Sequence, residues 1–321
     1  MFVRQRCGKM RTTQVKGGAN MEHDNSQRTL MSRRQVMAGG VASALVGGSR
    51  VALAAGAVPF DARDPASVLR AVTRMRYSED GGLTMGWLKA RRYGVVDGEI
   101  TPLFGMVTGT FGRHRVLDDG SVENASFELA FYTDLETGEV LDTITIPYTN
   151  KTVKVPRLLL GPNTSKTRPV FHEVIQTGGA AERTDSETAM RPVGSTRVER
   201  WLGPVTVKDN DVWIGEASSA TLIPADPKAD KVVYSESLNS TADYQDLINP
   251  DLLSVPSKLS YTGITSWRPW MEMGDHPGHT TSAGFGGKAF HADQLPDDYR
   301  AMAERYYPEA LADPAAILDR V

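Results

Sequence analysis

SFELAFY, residues 126–132, repeats with a period of two. Phe127, Leu129 and Phe131 alternate with Ser126, Glu128, Ala130 and Tyr132, which places the large apolar side chains on one face of a strand. That alternation marks a half-buried antiparallel strand rather than a buried parallel one. Beyond the turn Glu136-Thr137-Gly138, Leu141 to Ile146 reads as the returning arm of a hairpin. Downstream, Arg197 to Val207 and Val212 to Leu222 bracket Lys208-Asp209-Asn210-Asp211 as a second hairpin.

From Leu83 to Leu222 the strands follow one another through short turns, with no crossover helices between them. A parallel sheet would need such helices. The sequence therefore predicts a mainly β fold, an antiparallel β-barrel or sandwich of lipocalin-like type. A short N-terminal helix over Asp64–Arg76 precedes it, with Asp64 as N-cap, Pro65 at the first helical position and an apolar stripe of Val68, Leu69, Val72 and Met75. Thr241–Ile248 reads as a short helix, and Asp297–Tyr307 and Pro314–Arg320 as C-terminal capping helices. The polar segment Gly178–Gly194 reads as a mobile loop over an opening. Residues 58–321 are expected to form a single β-rich domain.

The first 57 residues have a different character. Ser32-Arg33-Arg34-Gln35-Val36-Met37 is a twin-arginine pattern, followed by a Gly/Ala-rich apolar run and small residues of A-x-A type at Ala52–Ala57. It predicts a leader with a twin-arginine signal peptide, the folded-protein export machinery as partner, and a periplasmic or secreted destination. The segment before Met31 reads as an over-extended start. The apolar run is too short and glycine-rich for a stable membrane span. Cys7, the sole cysteine, lies in this leader, so no disulfide or thiolate metal site is expected after cleavage.

Nine of the 36 basic residues but only two of the 39 acidic ones precede Val58, leaving 27 basic and 37 acidic side chains in the remainder. That acidic balance, without any basic block, argues against nucleic acid and anionic membranes as partners.

SWRPWMEMGDHPGHTTSAGFGGK, Ser266 to Lys288, concentrates the unusual residues. Ser266–Met273 reads as a strand, Asp275–His279 as a Pro-Gly turn at its end, and Gly284–Lys288 as a glycine bend. The last lacks phosphate-loop spacing, with Ser282 and Ala289 at the wrong positions. His276 and His279 with Asp275 and Glu272 are candidate acid/base residues. The same two histidines are weak metal candidates, with His172 or His114 as distant ligands, although Pro277-Gly278 prevents one helical face from presenting both rings. No motif implies a cofactor. Trp267, Arg268, Trp270, Trp87 and Tyr234 are candidate ligand-binding residues, because aromatics facing the interior of a barrel line a cavity, and arginine stacks on indole. Glu236 and Arg157 are further polar groups for such a cavity. The alternative for these tryptophans is ordinary core packing.

ITSWRPWMEMGDHPGHTTSAGFGGK, FYTDLETGEVLDTITIPYT and YSESLNSTADYQDLINP together resemble the DUF1838 family of bacterial and fungal proteins of unknown function. The resemblance runs from about Arg76 to Lys288. It implies a β-rich chain with a twin-arginine signal and carries no assigned catalytic residue. Ile146-Pro147-Tyr148 stands where such sequences often have Asn-Pro-Tyr.

Three functions fit these residues. The first is an exported protein that binds a hydrophobic or aromatic small molecule in a barrel cavity gated by the 178–194 loop. The second is a cofactor-independent isomerase, hydratase or hydrolase using the His/carboxylate pair, and the third a metal-dependent enzyme.

Overall fold

The strand that contains SFELAFY sits second from one edge of a ten-stranded antiparallel sheet. In chain order the strands are β1 (Thr84–Val96), β2 (Glu99–Val116), β3 (Val122–Thr133), β4 (Thr143–Thr145), β5 (Thr152–Lys154), β6 (Leu158–Thr167), β7 (His172–Gly178), β8 (Val193–Lys208), β9 (Asp211–Pro224), β10 (Val232–Asp243), β11 (Lys258–Thr265) and β12 (His279–Ala289). The helices are α1 (Pro65–Arg76), α2 (Tyr244–Ile248), α3 (Asp297–Tyr306), α4 (Pro308–Ala312) and α5 (Pro314–Leu318). The computed structural model describes residues 59–178, 193–224 and 231–321. The twin-arginine leader and nearly all of the predicted 178–194 loop lie outside these residues.

The main sheet runs β6-β3-β2-β1-β12-β11-β10-β9-β8-β7, while β4 and β5 form a small hairpin of their own. The barrel-or-sandwich expectation thus resolves into one curled sheet, a half-barrel. Its edge strands β6 and β7 are consecutive in sequence and do not pair with each other. At the seam, Arg200 donates to Thr167 Oγ1 at 2.7 Å and Arg168 Nε to Glu173 Oε2 at 3.0 Å. Glu173, also bonded to Arg200, is only 4% exposed. An inward charge on an edge strand deters further strands from pairing there.

Each face of the sheet has its own cover. On the convex side, Phe127, Leu129 and Phe131 of β3 pack with Val107 and Phe111 of β2 against Leu295, Tyr299, Ala303 and Ile317 of the C-terminal segment. Phe111 and Phe127 stack with centroids 4.8 Å apart. The concave side is filled at its two ends. At one end, α1 sets Val68, Leu69, Val72 and Met75 on Leu202, Val212, Ile214 and Ala242. Its N-cap is Asp64, whose carboxylate accepts from the Ala66 and Ser67 amides. At the other end, the β4–β5 hairpin and a 3₁₀ turn at Pro269–Met271 bring Ile146, Val153, Trp270 and Met271 onto Phe104 and Tyr132.

Three expectations need correction. Leu141–Ile146 is not the hairpin partner of β3: after a single bridge at Thr133–Val140, the chain leaves to form β4, and β3 pairs instead with β2 and β6. Ser266–Met273 is not a strand; β11 ends at Thr265, and Pro269 opens the 3₁₀ turn. The glycines at 284–287 do not bend the chain but lie inside β12. A Cβ on Gly286 would stand 1.9 Å from the Trp87 carbonyl oxygen, so glycine permits the close approach of β1 and β12. Helices α3 and α5 lie where the C-terminal pattern places them, with the short α4 between them.

Candidate functional site

Between its two plugs, the concave face encloses a cavity of about 280 Å³. Its floor on the α1 side is held by the side chains of Arg74 and Lys288; burial first, and then the Arg74 charge, pulls the Lys288 amine down to about 7. The Arg74 guanidinium, 1% exposed, donates to the carbonyls of Leu247, Asn249 and Leu252, which ties α1 to the segment after α2. Lys288 of β12 donates to the carbonyls of Arg74 (2.8 Å) and Tyr77 and to Ser254 Oγ. These contacts join α1, the segment after α2 and β12 through side-chain donors on shared backbone acceptors; the Arg74 carbonyl also accepts from the Val255 amide at 2.9 Å and the Tyr77 carbonyl from Ser254 Oγ at 2.8 Å.

The walls alternate by register. Leu88 of β1, Thr108 and Thr110 of β2, Glu128 of β3, Tyr234, Glu236 and Leu238 of β10, and Leu259 and Tyr261 of β11 line the cavity. Glu236 lies opposite Gly263 in the β10–β11 ladder. A Cβ on Gly263 would meet Tyr261 Oη at 2.3 Å, so the missing side chain leaves room for the tyrosine to lie along its own strand.

The two carboxyl groups differ in their surroundings. Glu236 Oε1 accepts from Ser218 Oγ at 3.2 Å and is hydrogen-bonded to Tyr234. Desolvation first, and then the neighbouring Glu236 charge, raise the Tyr234 phenol well above its ordinary range. The Glu128 side chain makes no hydrogen bond or ion pair among the described residues. Burial, with a further contribution from Glu236, pushes Glu128 up to about 7, and the Arg268 charge partly opposes this. Glu128, half-buried in the wall, is therefore a carboxyl group that releases its proton at higher pH than an ordinary glutamate.

Two arginines lie beyond Tyr261, toward the 3₁₀-turn plug. Arg92, 3% exposed, donates to Thr280 Oγ1 at 3.1 Å and to Met106 Sδ at 3.8 Å, and burial lowers its pKa. Arg268 has a buried Nε without a hydrogen-bond partner. Neither arginine, nor Glu128 nor Glu236, forms an ion pair among the described residues. Besides the tied Arg74 and Lys288 and the Arg76–Glu216 pair, the interior thus holds two carboxyls, Glu128 and Glu236, and two guanidiniums, Arg92 and Arg268, with no ion pair between them among the described residues.

The residues singled out in the sequence are dispersed. Tyr234 and Trp87 border the cavity, although the Trp87 ring lies against Phe285 and the helix-side core. Trp270 is buried between Phe104 and Tyr132, with centroids at 5.6 and 5.3 Å, and fills space instead of lining it. Trp267 donates Nε1 to the His276 carbonyl at 3.0 Å and packs on Tyr148. His276 also lies on Tyr148, with ring centroids 5.6 Å apart. Glu272 and Asp275 are exposed, Glu272 with a left-handed backbone (φ 51°), and His279 opens β12 opposite Val95. None of these four acid/base candidates lines the cavity. Arg157 pairs with Asp142 and stacks on Tyr306 at 4.3 Å, away from it. His172 joins Glu199 at 3.0 Å, whereas His114 is buried beside Tyr77. Among the described residues, no three His, Cys, Asp or Glu side chains come together as a metal site.

Glu236, Tyr234, Tyr261, Arg268 and Lys288 all fall in one continuous part of the chain, from β10 to β12. Residues 229–320 match the DUF1838 family. Its description is a protein of unknown function; the match includes the YSESLNSTADYQDLINP and ITSWRPWMEMGDHPGHTTSAGFGGK stretches and runs on to residue 320, whereas FYTDLETGEVLDTITIPYT and the rest of the resemblance before residue 229 lie outside it. No curated protein matches the chain. The DUF1838 segment supplies β10, β11, β12 and the C-terminal helices, hence one wall of the cavity and the cover of the convex face. Glu128 lies outside the DUF1838 segment, on β3, and the sequence offers only its polar position in an alternating strand. That position signals the second face of the sheet; only the curl makes this face an interior.

Proposed function

We propose that this is an exported protein that binds a small, largely apolar molecule in the concave cavity of its half-barrel. The observation that carries this reading is the cavity of about 280 Å³, walled by Leu88, Leu238 and Leu259 and provided with polar groups on strands from both sides, Glu128 on β3 and Tyr234 and Glu236 on β10. Such a mixture of apolar wall and sparse polar anchors is what small-molecule sites present. Of the charged groups in the wall, Arg76 is paired with Glu216 and Lys288 is tied to the carbonyls of Arg74 and Tyr77, so Glu128 and Glu236 are the ones left to a ligand, and they favour a neutral ligand with a hydrogen-bonding group over an anionic one. The twin-arginine pattern at Ser32–Met37 and the acidic balance after it support export. Among the described residues no helix is long and apolar enough to cross a membrane.

Thermal-shift measurements with phenol, benzyl alcohol, cyclohexanone and benzoate test the binding. The neutral compounds should raise Tm in a concentration-dependent way and benzoate should not, as ligands of the native state alone stabilise it by mass action. Thr108→Trp, which fills the cavity, should abolish the shift. Equal shifts in the wild type and the filled variant would refute the assignment.

A further inference from the structure

We propose that Glu128 and Glu236 are the acid and the base of a cofactor-independent proton transfer across an enolisable carbonyl compound bound between them. This rests on the cavity reading above and adds a reaction to it. In the sheet, Glu128 on β3 and Glu236 on β10 are separated by β2, β1, β12 and β11. Both nevertheless line one cavity, and the Glu236 charge contributes to raising Glu128. Only the curl of the sheet can achieve this, and it places the two carboxyls on facing walls. A ligand in the cavity then has a carboxyl group on either side.

Their different surroundings assign the roles. Glu236, which accepts hydrogen bonds from Ser218 and Tyr234, is the base. Glu128 has no partner in the protein, so its proton is available to the ligand, and the Arg268 charge stabilises the carboxylate that remains once it has left. Pairs of carboxyls driven apart by their environments divide acid and base work in this way.

The step balances without an oxidant or co-reactant. Glu236 removes a proton from the carbon next to the carbonyl, and the C–H electron pair forms a C=C bond. The carbonyl oxygen takes the Glu128 proton, giving a neutral enol. In a β,γ-unsaturated ketone the enol then returns its O–H proton to Glu128 while the γ-carbon takes the proton held by Glu236. The double bond has moved into conjugation, and both carboxyls are as they began. The leucine walls, Leu88, Leu238 and Leu259, suit the hydrocarbon ring of such a ketone, with the two carboxyls left for its carbonyl and its acidic C–H.

The full chain is assayed with cyclohex-3-enone, followed by the absorbance of the conjugated product, and with cyclohexanone in D2O, followed by NMR exchange of its α-protons. Binding of both ketones is measured on the same samples by ligand-observed NMR. The expected result is catalysis above buffer, reduced on the order of 100-fold or more in Glu236→Gln and in Glu128→Gln, the scale of general acid–base contributions. His276→Ala should match the wild type. In the wild type the buffer-corrected rate should fall as pH rises past about 7, where Glu128 gives up its proton. Lys288 in the same lining is also pulled down to about 7 by burial, and Lys288→Arg, whose guanidinium does not titrate there, should keep the fall. Ketones that bind without exchange or isomerisation overturn the proposal and leave the cavity reading standing; failure of both ketones to bind overturns both. If a glutamine variant does not fold, the wild-type profile decides: a corrected rate that does not fall above pH 7 overturns the assignment of Glu128 as the acid.

Discussion

Replacing Glu128 with glutamine should make the protein more stable, and only at neutral and alkaline pH. In the native state Glu128 is pushed up to about 7, whereas its ordinary value in an unfolded chain is 4.5. At pH 4 both states carry the proton, and the side chain costs little. Between 4.5 and 7 the unfolded chain releases its proton while the native protein retains it, so folding loses stability steadily with rising pH. Above 7 the native state ionises too, and the full cost of a desolvated carboxylate is reached. At about 1.4 kcal/mol per pH unit, the interval corresponds to about 3 kcal/mol as an upper bound, since the cavity admits some solvent. Glutamine has nearly the same shape and cannot ionise. Urea denaturation of the wild type and Glu128→Gln from pH 4 to 9, with m-values compared to check that the transition is unchanged, gives the difference directly. It should be near zero at pH 4, climb through pH 5–7, and level off in favour of the variant. A difference that stays flat over the whole range would show that Glu128 is freely hydrated, and the interior carboxyl pair would have no basis.

Arg74→Met should lower stability by about 3 kcal/mol or more, because three carbonyl acceptors lose a charged donor in the interior; equilibrium denaturation measures this, and a loss below about 1 kcal/mol would contradict the role of Arg74 as the tie between α1 and the segment after α2. Gly286→Ala should cost about 2 kcal/mol by forcing β1 and β12 apart, with faster amide exchange in both strands as the structural signature.

Local signals in the sequence were sufficient where the structure is local. Asp64 and Pro65 mark the start of α1, and the Lys208–Asp211 turn joins β8 to β9, because a cap or a tight turn is determined by adjacent residues. The same signals misplace Leu141–Ile146, since β3 takes its partners from β2 and from β6. Gly284 to Gly287 look like a bend in isolation; their close neighbours are carbonyls of β1, nearly 200 positions earlier in the chain. The cluster around His276 attracts attention by its composition, yet it consists of turn residues and aromatic packing outside the cavity. Tyr234 and Glu236 were legible as polar groups on one strand. Glu128 was not, because whether the second face of a strand meets water or an interior depends on strands far along the chain.

The position of β12 bears on when the interior comes into being. Strands β1, β2, β3 and β6 form one run of neighbours, and β7 to β11 form another; β12 alone joins them, paired with β1 on one side and β11 on the other. Glu128 belongs to the first run and Glu236 to the second. While the chain is being synthesised, each run can assemble as a meander of nearby strands, but no strand pairing joins the two until residues 279–289 have emerged and inserted, the side-chain contacts of the β6–β7 seam being their other link. Such late, long-range pairing is the slow kind of folding event. Before that insertion the two carboxyls are unrelated surface groups in water, and the final splice brings them face to face.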